Sequence, residues 1–234
     1  MNGKTWAVFI IIVLAVVGGM VYLSMQKQLD ISDISRDKSM GILAAEERNG
    51  NIADHVKGNP AAKVVVIEYG DFQCGPCKSA HATLQSAVTK HKDHVAFVYR
   101  NFPIANIHAH ARSASAVAEA AGLQGKYWEM HDLLYERQEA WANMQPHERR
   151  DTFKRYIEEL GLDTKRFTED VMQPAITKKI GFDTALARSV GVSGTPTLYV
   201  NGELVKLTTT DSITEAIEAA LKKNGVAIPG AKAE

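Results

Sequence analysis

The sequence predicts a mixed α/β domain, and three observations carry that expectation. A short apolar run rich in β-branched residues, "AKVVVIEYGDF" (62–72), passes directly into a helix-compatible stretch. A long block over residues 108–190 has helical periodicity throughout. Beyond it, two short β-rich runs flank Asn201-Gly202, a strong hairpin signal. The order is strand, helix, strand, helical block, hairpin, helix, so the block interrupts a βαβ…ββα frame.

The chain has 234 residues, enough for one domain with a substantial core plus appendages. An apolar fraction of 45% and a charged fraction of 23% are those of a globular protein. Lys+Arg and Asp+Glu balance at 27 each, so no net field points to nucleic acid or to an acidic partner.

Residues 1–25 read as a membrane anchor. Trp6 to Met25 carries no charge, and as a helix it would span about 30 Å, the thickness of a bilayer's hydrocarbon core. Trp6 and Tyr22 lie near its ends, where amphipathic rings prefer to sit. A cleaved signal peptide is the competing reading, with Lys4 in its basic region. The length of the run and the lack of an A-x-A-like site go against it. Lys4 and the terminal amine on one side, with Lys27, Asp30 and Asp33 on the other, place the C-terminal domain outside the cytoplasm.

Residues 26–58 are polar and read as a stalk, with "KGNP" (57–60) as the turn that opens a domain over 59–224. "HVAFVYRNFPI" is a second strand, stopped by Pro103. In the helical block, Tyr127, Met130 and Leu134 share a face, as do Phe153, Tyr156, Ile157 and Leu160, with Gly161 as a stop. Their plain reading is core packing. "DSITEAIEAALKK" is a closing helix with Asp211 at its N-cap, and 225–234 is a flexible tail.

Cys74 and Cys77 are the only cysteines, and they stand where the first strand gives way to a helix. Unpaired N–H groups at a helix N-terminus stabilise an anion, so the Cys74 thiol is expected below its usual value of about 8.5 and becomes the attacking sulfur. Cys77, one turn further in, is its resolving partner. Gly75-Pro76 fits the first turn, because Pro lacks an N–H that would be unpaired there anyway. Glu68 lies in the apolar strand, where a charge is costly without a purpose. A buried carboxyl behind Cys77 could exchange that thiol's proton; pairing with a lysine at a sheet edge is the alternative. Half a zinc site completed by His108 and His110 is a second reading of the cysteines, but structural zinc sites usually show a second recognisable pair. C-x-x-C beside a βαβ pattern reads as a redox motif. No metal and no cofactor other than the Cys74–Cys77 disulfide is expected.

The stretches "VVVIEYGDFQCGPC", "YWEMHDLLYERQ" and "ARSVGVSGTPTLYVNG" together resemble the DsbA-like thiol–disulfide oxidoreductases of the thioredoxin-fold superfamily. The resemblance covers about 59–223. It implies a thioredoxin fold with a helical insertion over roughly 107–187, Cys74 as nucleophile, Cys77 as resolving cysteine and Glu68 as the buried acid. It also implies a cis-proline loop at Pro196, with Thr195 tuning the redox pair and contacting substrate backbone. The implied function is an extracytoplasmic, membrane-anchored enzyme that introduces disulfides into unfolded exported proteins. A membrane quinone-linked partner of the DsbB or vitamin-K-epoxide-reductase (VKOR) type would re-oxidise it. One departure stands out: Gly-Pro between the cysteines is the dipeptide of reducing thioredoxins. An exported reductase or isomerase is therefore the alternative, with a non-catalytic tethered binding module as a third.

Overall fold

The computed structural model describes Leu29, residues 31–209 and residues 211–226. The expected anchor and residues 227–234 of the expected 225–234 tail lie outside the described residues. Among the described residues no helix is long and apolar enough to cross a membrane. Contacts divide the chain between Asp33 and Ile34, and the unit from Ile34 onward carries the fold.

In chain order that unit contains α1 (Arg36–Ser39), β1 (Val56–Gly58), β2 (Val64–Gly70), α2 (Gly75–Lys90) and β3 (Val95–Asn101). It continues with α3 (Ala111–Gly122), α4 (Tyr127–Glu136), α5 (Pro146–Glu159), α6 (Thr164–Asp170) and α7 (Pro174–Ser189). It closes with β4 (Thr197–Val200), β5 (Glu203–Leu204) and α8 (Ser212–Lys223). The sheet order is β1-β3-β2-β4-β5, with β2 and β3 parallel and the other neighbours antiparallel. Helices α3 to α7 form the insertion between β3 and β4 of a thioredoxin-like fold.

The apolar run of β2 becomes a central strand because both its faces are covered: Val64, Val66, Ile67 and Tyr69 are all buried. Asn201 and Gly202 both adopt positive φ, 48° and 79°, as a two-residue turn between antiparallel strands requires. Asn201 also ties this hairpin to β2, its Oδ1 accepting from Val65 N at 2.7 Å. Tyr127, Met130 and Leu134 on α4, and Phe153, Tyr156 and Ile157 on α5, enter the core as their spacing predicts.

Two expectations need correction. The segment read as stalk folds onto the domain from α1 onward: Met40, Leu43, Ile52 and Asp54 are buried, and 56–58 adds the edge strand β1. Its polar composition conceals an ion pair, Asp54 with Arg100 at 2.7 Å, both side chains fully buried. Asp211 does stand at the start of α8 but makes no side-chain cap bond; Ser212 Oγ instead accepts from Thr209 N at 3.0 Å.

Candidate active site

Alternation along β2 and β3 sorts their side chains onto two faces. Glu68 pairs in register with Tyr99, Tyr69 with Arg100, and the two pairs project on opposite sides. The Glu68 side packs against α2, α4 and α8, in a core that includes Phe72, Cys77, Tyr99 and Leu134.

Cys74 occupies the N-cap of α2 with extended backbone, and Pro76 falls in the first turn. Both thiols are free; Cys74 is 4% exposed and Cys77 0%. Across from them the Thr195–Pro196 bond is cis. The Cys74 thiol donates to Thr195 O at 3.4 Å. The Thr195 hydroxyl has no hydrogen-bond partner among the described residues.

These surroundings push the two thiols apart. The Cys77 S–H donating to the Cys74 thiolate holds Cys74 down to about 6, against the opposing effect of burial and with help from Thr195. Burial pushes Cys77 far up, and its hydrogen bond to Cys74 and the nearby Glu68 carboxylate push the same way. Burial, followed by the charge of Cys74, raises Glu68 to about 8. Glu68 Oε1 has no hydrogen-bond partner among the described residues. The sheet-edge lysine pairing considered for Glu68 is not what the structure shows: it is a buried acid on a central strand.

The loop before Cys74 is gripped by the insertion. Asp71, fully buried, accepts from Gln73 N through Oδ1 and from Ile104 N through Oδ2, both at 2.8 Å. The same Oδ2 meets His108 Nδ1 at 2.8 Å. Gln138 Nε2 donates to Phe72 O at 2.8 Å and Cys74 O at 3.0 Å. Gln73 donates to Ala142 O at 2.7 Å and accepts from His110 N at 2.8 Å. His108 is thus engaged by Asp71, three residues before Cys74. Sequence reasoning placed the cysteines, Glu68 and the Thr195-Pro196 turn but found none of these loop supports. Gln138 is 64 residues from Cys74, and only the fold brings them together.

Beside the cysteines runs a groove of about 590 Å³, bounded by Pro76, Ala80, Thr83, Pro196, Leu207 and Ile213. Its lining is mainly apolar, with Ser79, Thr208 and Thr209 at its margin. Chemically, the constellation can accept a thiolate at Cys74 and release one at Cys77 beside a carboxyl able to carry a proton.

A family model described as "Thioredoxin" matches residues 50–219. The Na(+)/H(+) antiporter NhaA 1 of Salinispora arenicola is 39% identical over 149 residues, which are 64% of this chain and 22% of that protein. The chain thus spans about a fifth of the length of the curated relatives it matches. Among solved structures, a thioredoxin-like oxidoreductase from Silicibacter pomeroyi DSS-3 is similar at 31% identity and a TM-score of 0.60, over 76% of this chain and 99% of that one. DsbA2 of Pseudomonas aeruginosa is similar at 26% identity and a TM-score of 0.55, over 73% and 96%.

Proposed function

This chain belongs to the thioredoxin family, and on that premise we propose that it is a DsbA-like thiol–disulfide oxidoreductase that works as a disulfide donor outside the cytoplasmic membrane. The observation that carries the reading is the asymmetry of the pair: Cys74 at the N-cap of α2 against Thr195 O, with Cys77 and Glu68 buried behind it, an arrangement that holds Cys74 down to about 6 and pushes Cys77 up, with Glu68 at about 8.

A substrate thiolate attacks Cys74 Sγ of the Cys74–Cys77 disulfide, forming a mixed disulfide and releasing Cys77 as thiolate. Glu68, largely protonated at neutral pH, gives Cys77 its proton. A second substrate thiolate then attacks the substrate sulfur and Cys74 leaves, stabilised as thiolate. Two substrate thiols are oxidised to a disulfide and the protein pair is reduced to a dithiol. Thr195 and Pro196 hold the substrate backbone beside Cys74, and the adjoining apolar groove takes an extended segment of an unfolded chain. Unfolded exported proteins with cysteines are the substrates, and a quinone-linked membrane protein of the DsbB or VKOR type restores the disulfide. Residues 6–25 hold the enzyme at the membrane. The antiporter name belongs to a protein of which this chain matches 22%, and no transport activity is carried over.

A magnitude weighs on the direction. At pH 7 a thiol brought from 9.0 to about 6 gains about 1.4 kcal/mol as thiolate, or about 30 mV for a two-electron couple. That is a fifth of the roughly 150 mV between thioredoxin and DsbA. Gly75-Pro76 therefore keeps the reductase or isomerase as a second reading.

The test is single-turnover oxidation of a reduced, unfolded substrate by the purified oxidised protein. One substrate disulfide per chain is expected, and Cys74→Ser abolishes it. Failure to oxidise the substrate stoichiometrically would count against donation.

A further inference from the structure

A second cluster of titratable groups lies away from the cysteines, between α2 and α4. His81 is one turn beyond Cys77 on α2, while His131 and Asp132 are neighbours on α4. Asp132 divides its oxygens. Oδ2 accepts from Lys57 Nζ at 2.9 Å and Gln85 Nε2 at 2.8 Å. Oδ1 faces the imidazoles, with His131 Nδ1 at 3.0 Å and His81 Nε2 at 3.8 Å. One donor atom from each of the three residues lies within 4.8 Å of the others.

From this arrangement we propose that His81, His131 and Asp132 form a binding site for a divalent ion of the zinc class. Bond lengths of about 2.0–2.2 Å to nitrogen and oxygen put neighbouring ligands of a tetrahedral ion roughly 3.3–3.6 Å apart; the two separations from Asp132 Oδ1, 3.0 and 3.8 Å, bracket that range, and the imidazole nitrogens lie within 4.8 Å of each other. Two imidazoles and one carboxylate suit Zn²⁺ or Co²⁺ and not Ca²⁺ or Mg²⁺, which take oxygen ligands.

A second observation points the same way. His81 is 8% exposed, yet its Nε2, the atom 3.8 Å from Asp132 Oδ1, has no hydrogen-bond partner among the described residues. Ion binding at His131 Nδ1 moves that ring's proton to Nε2 and leaves the imidazole neutral. Lys57 and Gln85 fix the carboxylate as outer contacts commonly do for ligands. The Lys57 ammonium opposes the ion's charge, but it sits on the far oxygen, and its side chain is 25% exposed, so solvent screens it. The fourth ligand position is left for water.

The probe is Zn²⁺ added to the full chain with the Cys74–Cys77 disulfide closed, so that neither sulfur can bind it. The site uses none of the residues assigned to thiol exchange, and its failure leaves that reading untouched. Saturable binding of one Zn²⁺ per chain is expected. His81→Gln should weaken it by at least about tenfold, and His110→Ala should leave it unchanged. X-ray absorption of the zinc-loaded, unsubstituted protein needs no variant and should show two imidazoles on the ion. No saturable binding, undiminished binding in His81→Gln, or a shell of oxygens alone would overturn the site.

Discussion

The two faces of the β2–β3 pair bury carboxyl groups in opposite ways. On one face Asp54 meets Arg100 at 2.7 Å and Lys179 at 2.9 Å, and Lys179 also meets Asp183 at 2.8 Å. Burial alone would raise Asp54, but the two cations outweigh it and hold the carboxyl well below its ordinary range. On the other face Glu68 is just as buried, has no cation beside it among the described residues, and rises to about 8. One residue along a strand separates Tyr69, whose hydroxyl accepts from Arg100 at 3.1 Å, from Glu68. A buried carboxylate compensated by partners is fixed in charge and holds structure together. One left without them keeps a proton it can lend, which is why strongly perturbed groups gather at functional sites.

The largest expected effect breaks the compensated face. Asp54→Asn leaves Arg100 and Lys179 buried with too little negative charge, at a cost of about 3–5 kcal/mol. Urea titration should show the lowered midpoint. The amide of Leu43, which donates to Asp54 Oδ2 at 2.9 Å, should lose hydrogen-exchange protection.

Glu68→Gln should act with the opposite sign. Between 4.5 and about 8 the folded chain holds a proton the unfolded chain releases, so stability falls as pH rises through that window. At pH 7 the loss amounts to about 3 kcal/mol, and Glu68→Gln should be more stable than the parent by roughly that much. The gain should vanish near pH 4. Equal stability of the two proteins at pH 7 would mean that Glu68 is already compensated. The same substitution should slow release of Cys77 at neutral pH, read as slower resolution of the mixed disulfide in stopped flow.

The smallest effect belongs to the surface. Lys126 and Glu129 are 42% and 45% exposed and 2.8 Å apart, and Lys126→Ala should move stability by less than about 1 kcal/mol. A larger loss there would blur the distinction between buried and exposed charge.

Much of the fold was legible because its signals are local. The β-branched run of β2, the Asn201-Gly202 turn and the periodic faces of α4 and α5 each lie within a dozen residues. Cys74, Cys77 and Glu68 were legible for the same reason: they share one strand–helix junction. The compensated face was not. Asp54 lies 46 residues from Arg100 and 125 from Lys179, and in sequence its surroundings look like a solvated linker. His108 reaches Asp71 across 37 residues, and His81 reaches Asp132 across two helices. Polar residues advertise neither their partners nor their burial, whereas apolar periodicity advertises both.

As proposed, the Cys74–Cys77 pair is poised to give its disulfide away. Equilibrating the protein against glutathione redox buffers measures the reduction potential of the pair directly. A disulfide donor should lie toward the oxidising end, at about −120 to −150 mV, with the Cys74 thiolate supplying only part of the rise. A potential near −250 mV or below would contradict it and mark the protein as a reductant governed by Gly75-Pro76.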